Sequence, residues 1–234
     1  MGSDDLFKKR KGNRKKRKEN SKKLAPYRYL IVCEGKKTEP KYFEGIKNKI
    51  NEKYTDAIKV KEKIDDIKVI GTGRNTQDLV KFTIGELERL KNQGELPYGN
   101  VWVVFDKDDF LDEQFNNAIY QAQAKGFHVG WSNEAIELWF VLHFEFLNTA
   151  IHRYQYIDKL NHYFKKFGLN KGRYEKNLEN IFDILCKYGD MQKAIERSVK
   201  LEKIYLEEGL NTESKMNPGN NVYKLVQELI AYID

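Results

Sequence analysis

Three acidic residues stand where apolar runs stop. Tyr29-Leu30-Ile31-Val32-Cys33 ends in Glu34-Gly35, and Val101-Trp102-Val103-Val104-Phe105 runs straight into Asp106-Lys107-Asp108-Asp109. If both runs are strands of one sheet, Glu34, Asp106 and Asp108 fall at one edge of it. Carboxylates gathered at such an edge repel one another unless a cation neutralises them. The donors are hard oxygens with no Cys or His among them, which favours Mg²⁺ or Mn²⁺ over zinc. A cation of that kind that keeps open positions serves phosphodiester chemistry. The competing reading makes Asp106 and Asp108 caps of the next helix; it accounts for one of them and leaves Glu34 unexplained.

Other side chains fall on the same edge. Lys36 and Lys37 follow Glu34 and could reach a scissile phosphate, where a cation stabilises charge that builds in the transition state. The segment Gly71-Thr72-Gly73-Arg74-Asn75-Thr76 leads from a strand into a helix and could offer an anion its backbone N–H groups, with Gly71, Gly73, Arg74 and Asn75 as the phosphate-binding set. It lacks the Gly-Lys-Ser/Thr ending of a P-loop, and a tight turn with an ordinary cap explains it equally well. Glu137, in a mostly apolar segment, is either a buried carboxylate aimed at the acidic cluster or part of a solvated stripe with Glu134 and Glu145. His143 and His152 have no evident partners and read as structural or surface residues. Cys33 and Cys186 lie far apart with no ligand spacing, so core roles are expected for them.

The elements that must position these groups are legible from periodicity. The apolar run 29–33 suits a strand buried on both faces. Thr38-Glu39-Pro40 supplies a cap and a proline at the first helical position, and Tyr42, Phe43, Ile46 and Ile50 follow at helical spacing. A second strand is expected over 67–70, then a helix capped by Asn75 or Thr76 with Leu79, Val80, Thr83, Leu87 and Leu90 facing inward. The third strand, 101–105, precedes a helix striped by Phe115, Ala118, Ile119 and Ala122. A fourth covers 127–131, followed by a helix near 134 that is apolar almost all round. Four strand–helix units in series imply an α/β fold with a mostly parallel sheet flanked by helices. Beyond 146 only helices are expected, near 152–166, 175–187 and 189–208, and a last one after the turn at Pro218-Gly219-Asn220-Asn221. The organisation expected is therefore a basic arm over 1–25, an α/β domain over 26–145, and a helical C-terminal region over 146–234 packed on it.

Composition sets the limits. The chain has 234 residues, 40% of them hydrophobic and 13% aromatic, enough for a sizeable core. No apolar run approaches the roughly 18 residues needed to cross a bilayer, and a cytoplasmic protein without membrane association is expected. The net charge of +7 is unevenly placed. Residues 1–24 carry eleven Lys/Arg against three acids, a net of +8, leaving 31 basic and 32 acidic residues in the rest. The arm, with Lys8, Lys9, Arg10, Lys11, Arg14, Lys15, Lys16 and Arg17 at its centre, is too poor in apolar residues to order itself alone. It is suited to nucleic acid, DNA or RNA, through counterion release; a solubilising tail is the plainer alternative.

A strand ending in Glu-Gly and a later one ending in Asp-x-Asp resembles the TOPRIM domain of topoisomerases, primases and a group of nucleases. Within that superfamily the chain is most similar to the RloB-like proteins found beside bacterial defence and restriction genes. The likeness lies in the basic arm, Ile31 to Glu39, Phe105 to Asp109, and Ser132-Asn133 followed by Glu137-Leu138-Trp139. The resemblance implies a metal-dependent TOPRIM fold serving nucleolytic phosphoryl transfer in antiviral defence, with a defence-system partner protein. It assigns Glu34, Asp106 and Asp108 to the acidic triad and tips Glu137 toward the site. One position departs: where many relatives have proline after Ser-Asn, this chain has Glu134.

The expectation is a nuclease using Mg²⁺ or Mn²⁺, with Glu34, Asp106 and Asp108 as metal ligands and Lys36, Lys37 and Glu137 completing the catalytic set. Topoisomerase action would need gating domains for which little chain remains, and primase action a zinc module that is not there. The alternative is a non-catalytic nucleic-acid or nucleotide-binding module acting with a partner. A phosphate-accepting receiver domain also gathers acids at strand ends, but needs a lysine on the last strand that does not stand out.

Overall fold

The computed structural model describes residues 25–54 and 66–233; the arm residues from Lys8 to Arg17 lie outside them. Strands β1 (Ala25–Cys33), β2 (Asp66–Gly71), β3 (Tyr98–Asp106) and β4 (His128–Ser132) alternate with helices α1 (Thr38–Tyr54), α2 (Thr76–Asn92) and α3 (Asp112–Ala124). The strands form one parallel sheet in the order β2-β1-β3-β4. The fold is α/β and Rossmann-like, as the periodicity implies.

The apolar runs account for the centre of the sheet. Leu30, Ile31, Val32 and Cys33 on β1 are wholly enclosed, and Val103, Val104 and Phe105 on β3 nearly so, because helices cover both faces. Right-handed crossovers place those helices. The chain steps from β1 to β2 on one side, then crosses back to β3 on the other, so α1 lies on one face and α2 and α3 on the opposite one. The packing agrees: α2 lies against α3, and α1 against α8 (Val222–Ile230).

After β4 the chain is helical. Every residue of α4 (Glu137–Leu142) is buried, where it packs against α5 (Arg153–Lys166) and α7 (Met191–Glu207), while α6 (Ile181–Tyr188) packs on α1. The C-terminal region is tied to the sheet through the stretch before α8. Asn221 N–H donates to Trp131 O at 3.0 Å and Asn133 N–H to Gly219 O at 2.7 Å, around one antiparallel bridge between Ser132 and Asn220. These bonds cover the open edge of β4, which would otherwise present unpaired backbone. Among the described residues no helix is long and apolar enough to cross a membrane.

The strand order reverses between β1 and β3. The loops leaving their carboxyl ends diverge there, and that divergence opens the crevice in which ligands of open α/β sheets sit.

Candidate metal centre

Glu34 follows directly from β1, and Asp106 is the last residue of β3. Pairing of the two strands brings them together: Glu34 N–H donates to Val104 O at 2.8 Å, and Asp106 N–H donates to Glu34 Oε2 at 3.3 Å. Thr76, at the start of α2, places its hydroxyl 3.5 Å from the same oxygen. Two further carboxylates face the pair. Glu39, in the first turn of α1, is 5% exposed and accepts the Gly35 N–H at 3.1 Å. A Cβ at position 35 would push the Glu39 carboxylate out of this bond. Glu137 opens α4, is 1% exposed, and accepts from the Tyr174 hydroxyl at 3.0 Å, with Lys176 Nζ at 3.6 Å. The solvated stripe considered for Glu137 is therefore excluded by its burial.

These groups line one cleft of about 360 Å³ with Lys36, Lys37, Thr38, Asp108 and Ile136. Their mutual repulsion shows in their proton affinities. Burial pushes the Glu34 carboxyl up to about 7, with Glu39 adding to the rise and the Asp106 N–H opposing it. Asp106 is held well above the ordinary range, first by burial and then by Glu39, Glu137 and Glu34. Glu39 is raised by burial, with the Glu137 charge contributing. Asp106 Oδ1 is enclosed and has no hydrogen-bond partner. A buried carboxylate oxygen without a donor is costly, and a hard cation is the natural complement to such a set. The donor type, hard carboxylate oxygens alone, is the one Mg²⁺ or Mn²⁺ takes.

The fit is not a finished coordination sphere. Among the described residues no three His, Cys, Asp or Glu side chains stand at separations that would hold one ion. Asp108 is engaged by a different partner. It sits at the rim with a left-handed backbone (φ 46), and its carboxylate is paired with Arg153, the first residue of α5, which also binds Asp109 Oδ2 at 2.8 Å. Glu34 and Asp106 are thus brought together, and Asp108 is close by but engaged elsewhere.

The glycine-rich loop after β2 spends several of its N–H groups inside the fold. Thr72 N–H donates to Cys33 O at 3.0 Å, Gly73 N–H to Glu34 O at 2.6 Å, and Arg74 N–H to Thr72 Oγ1 at 3.1 Å. Asn75 Oδ1 caps α2 through Asp78 N–H at 2.9 Å, and Arg74 lies over the Phe82 ring. Gly71 packs against Pro40 and the Gly35 carbonyl. The N–H groups of Thr72 and Gly73 brace the end of β1, and the turn at Gly71, Gly73, Arg74 and Asn75 carries an ordinary cap of α2. Lys36 and Lys37 are exposed at the mouth of the cleft, the Lys36 stem running across Gly73. Asn133 donates to Ser214 O at 3.0 Å and holds the C-terminal region. Glu134 adopts φ 74, a conformation closed to proline. His143 is buried, its Nδ1 2.9 Å from Trp139 O, and is structural.

Periodicity missed Glu39, read only as part of a helix start, although it stands in the same stretch as Glu34. It gave no sign of Tyr174, Lys176 or Arg153, which reach the cleft from the far half of the chain. A family model described as RloB-like protein matches residues 29–229. No curated protein and no solved structure matches the chain.

Proposed function

The chain belongs to the RloB-like family, and we propose that it is a metal-dependent nuclease that hydrolyses phosphodiester bonds of DNA or RNA, acting in defence against phage. The observation that carries this reading is the unpartnered Asp106 Oδ1, enclosed among Glu34, Glu39 and Glu137 where the strand order reverses. The likeness of the Glu34-Gly35 and Asp106-x-Asp108 motifs to TOPRIM nucleases supports it.

Glu34 and Asp106 would hold the cation, with Glu39 and Glu137 within the same cleft and Asp108 joining once it leaves Arg153. A bound Mg²⁺ or Mn²⁺ supplies polarisation of the phosphate and a lower pKa for the attacking water. The chain's own residues do the rest. The proton that water gives up, as its oxygen bonds to phosphorus and the ester oxygen leaves, would pass to a carboxylate of the cluster that does not hold the cation. Lys36 and Lys37 offset the acidic interior where a polyanion must enter. The arm adds affinity without sequence preference.

The hold of Arg153 on Asp108 favours a second reading, a module that binds nucleic acid without cutting it and acts with a partner protein. Incubation with plasmid DNA and with total RNA separates the two. Fragments that form with Mg²⁺ or Mn²⁺, vanish with chelator and are lost in Asp106→Asn support the nuclease. Binding that survives in Asp106→Asn while the wild type never cuts supports the module.

A further inference from the structure

Three lysines surround the acidic cleft, and they are not equivalent. Lys36 lays its stem across Gly73, toward the β2–α2 turn, and Lys37 is exposed with no partner shown among the carboxylates. Lys176 comes from the segment between α5 and α6, more than a hundred residues along the chain, and is fixed in an unusual way. Its carbonyl accepts the Thr38 hydroxyl at 3.1 Å, so its backbone is fastened to the first residue of α1. The neighbouring Tyr174 hydroxyl donates to Glu137 at 3.0 Å, and Lys41 on α1 pairs with Glu179. The backbone of residues 174–179 is thereby stapled across the mouth of the cleft.

The head of Lys176 is left free by comparison. Its ammonium is 3.6 Å from Glu137 Oε1, in a side chain 57% exposed against 2% for Glu137. At that separation the two attract as charges, but the three N–H donors are not tied up in a short hydrogen bond. A fixed backbone thus delivers a loosely engaged cation to the cleft that Asp106 and Glu137 line.

We propose that Lys176 is a catalytic residue, the cation that contacts the non-bridging phosphate oxygens of the substrate and stabilises the charge that builds there during hydrolysis. The proposal rests on the nuclease reading above. It makes the C-terminal helical region a contributor to the chemistry, beside Lys36 and Lys37 of the α/β half. Glu137 then holds the ammonium in place until substrate arrives, and Tyr174 holds Glu137.

The test compares wild type with Lys176→Gln and Lys176→Arg, in cleavage of nucleic acid with Mn²⁺ and in the rise of melting temperature that Mn²⁺ causes. Loss of one preorganised donor to a developing oxyanion lowers kcat by roughly 100-fold or more. Lys176→Gln should show that loss in kcat with KM changed by less than about threefold and the Mn²⁺ response intact, and Lys176→Arg should recover most of the rate. Cleavage by Lys176→Gln within about twofold of wild type overturns the assignment of Lys176 and leaves the nuclease standing. A Lys176→Gln chain that no longer folds, or no longer responds to Mn²⁺, makes the lysine structural and also overturns it. A wild type that responds to Mn²⁺ but cuts no nucleic acid overturns both.

Discussion

Asp106 is pressed by three carboxyls at once, and its proton affinity records it. In the cation-free chain it keeps its proton well above the range in which the unfolded chain would lose it. A raised carboxyl of this kind stabilises the fold at low pH and ceases to do so as pH rises through its folded value. At neutral pH the cluster is therefore a strain on the fold unless a cation joins it. Asp106→Asn should raise the melting temperature of the cation-free chain by about 2–4 °C for each kcal/mol recovered while abolishing cation-dependent cleavage. Glu34 makes the same point with a defined window. Its value of about 7 against an ordinary 4.5 means that its contribution fades between those two pH values. Glu34→Gln should accordingly gain on the wild type as pH rises from about 4.5 to about 7 and level off above, by at most about 3.5 kcal/mol at roughly 1.4 kcal/mol per pKa unit. His143 works in the opposite sense. Burial lowers it to about 4, so its neutral form favours the folded chain above its ordinary 6.5 and stability is lost as pH falls toward 4. The comparison with Glu34→Gln removes that shared background, and melting curves across this range check it.

At the scale of elements, the site depends on how the β1–α1 turn, the β2–α2 turn and the end of β3 are fastened together. Gly71 is the point where a proline ring and backbone close in together. A Cβ there would sit 2.6 Å from Pro40 Cγ and 2.8 Å from the Gly35 carbonyl oxygen, so Gly71→Ala must separate the end of β2 from the turn that carries Glu34 to Glu39. A loss of about 1–3 kcal/mol is expected, as for overpacking elsewhere. It should come with weaker cation binding, measurable by denaturant unfolding and by titration of Mn²⁺. The same elements show what a sequence can reveal. Val101 to Phe105 announces a strand buried on both faces, and Phe115, Ala118, Ile119 and Ala122 announce the inner stripe of α3; both are found with their ends moved by a few residues. Local pattern is enough for these because burial repeats with the period of the element. Glu39 escaped notice because a glutamate in the first turn of a helix has an ordinary role there, and only the turn at Gly35 folds it back toward Glu34. The loop at 71–75 stayed open between two readings for a related reason: glycines and an Asn cap look alike whether their N–H groups face an anion or the fold. Glu137 could be weighed from the family likeness but not from its own neighbourhood, whose polar spacing also suited a solvated face.

At the scale of the molecule, two long-range assemblies were invisible in the sequence. One is the edge of β4 covered by the stretch before α8. The other is the closure of the cleft by Tyr174, Lys176 and Arg153, residues with no periodicity to mark them. Arg153 is the more consequential for the whole, because it holds Asp108 away from the carboxyls that Asp106 faces. The basic arm acts at this scale too. Removing residues 1–24 takes away a net charge of +8, and should weaken nucleic-acid binding and flatten its dependence on salt. The response of the truncated chain to Mn²⁺ should be unchanged. Anisotropy titrations with a labelled oligonucleotide at two salt concentrations measure the first effect, and melting with Mn²⁺ the second.

Calorimetric titration of Mn²⁺ into the wild type and into Asp106→Asn, each at neutral pH, is the most direct test of a cation held between the ends of β1 and β3. A site of that kind gives saturable binding to the wild type that Asp106→Asn loses by a factor of ten or more, on the order of 1.4 kcal/mol. Equal binding by the two proteins, or none by either, would contradict it.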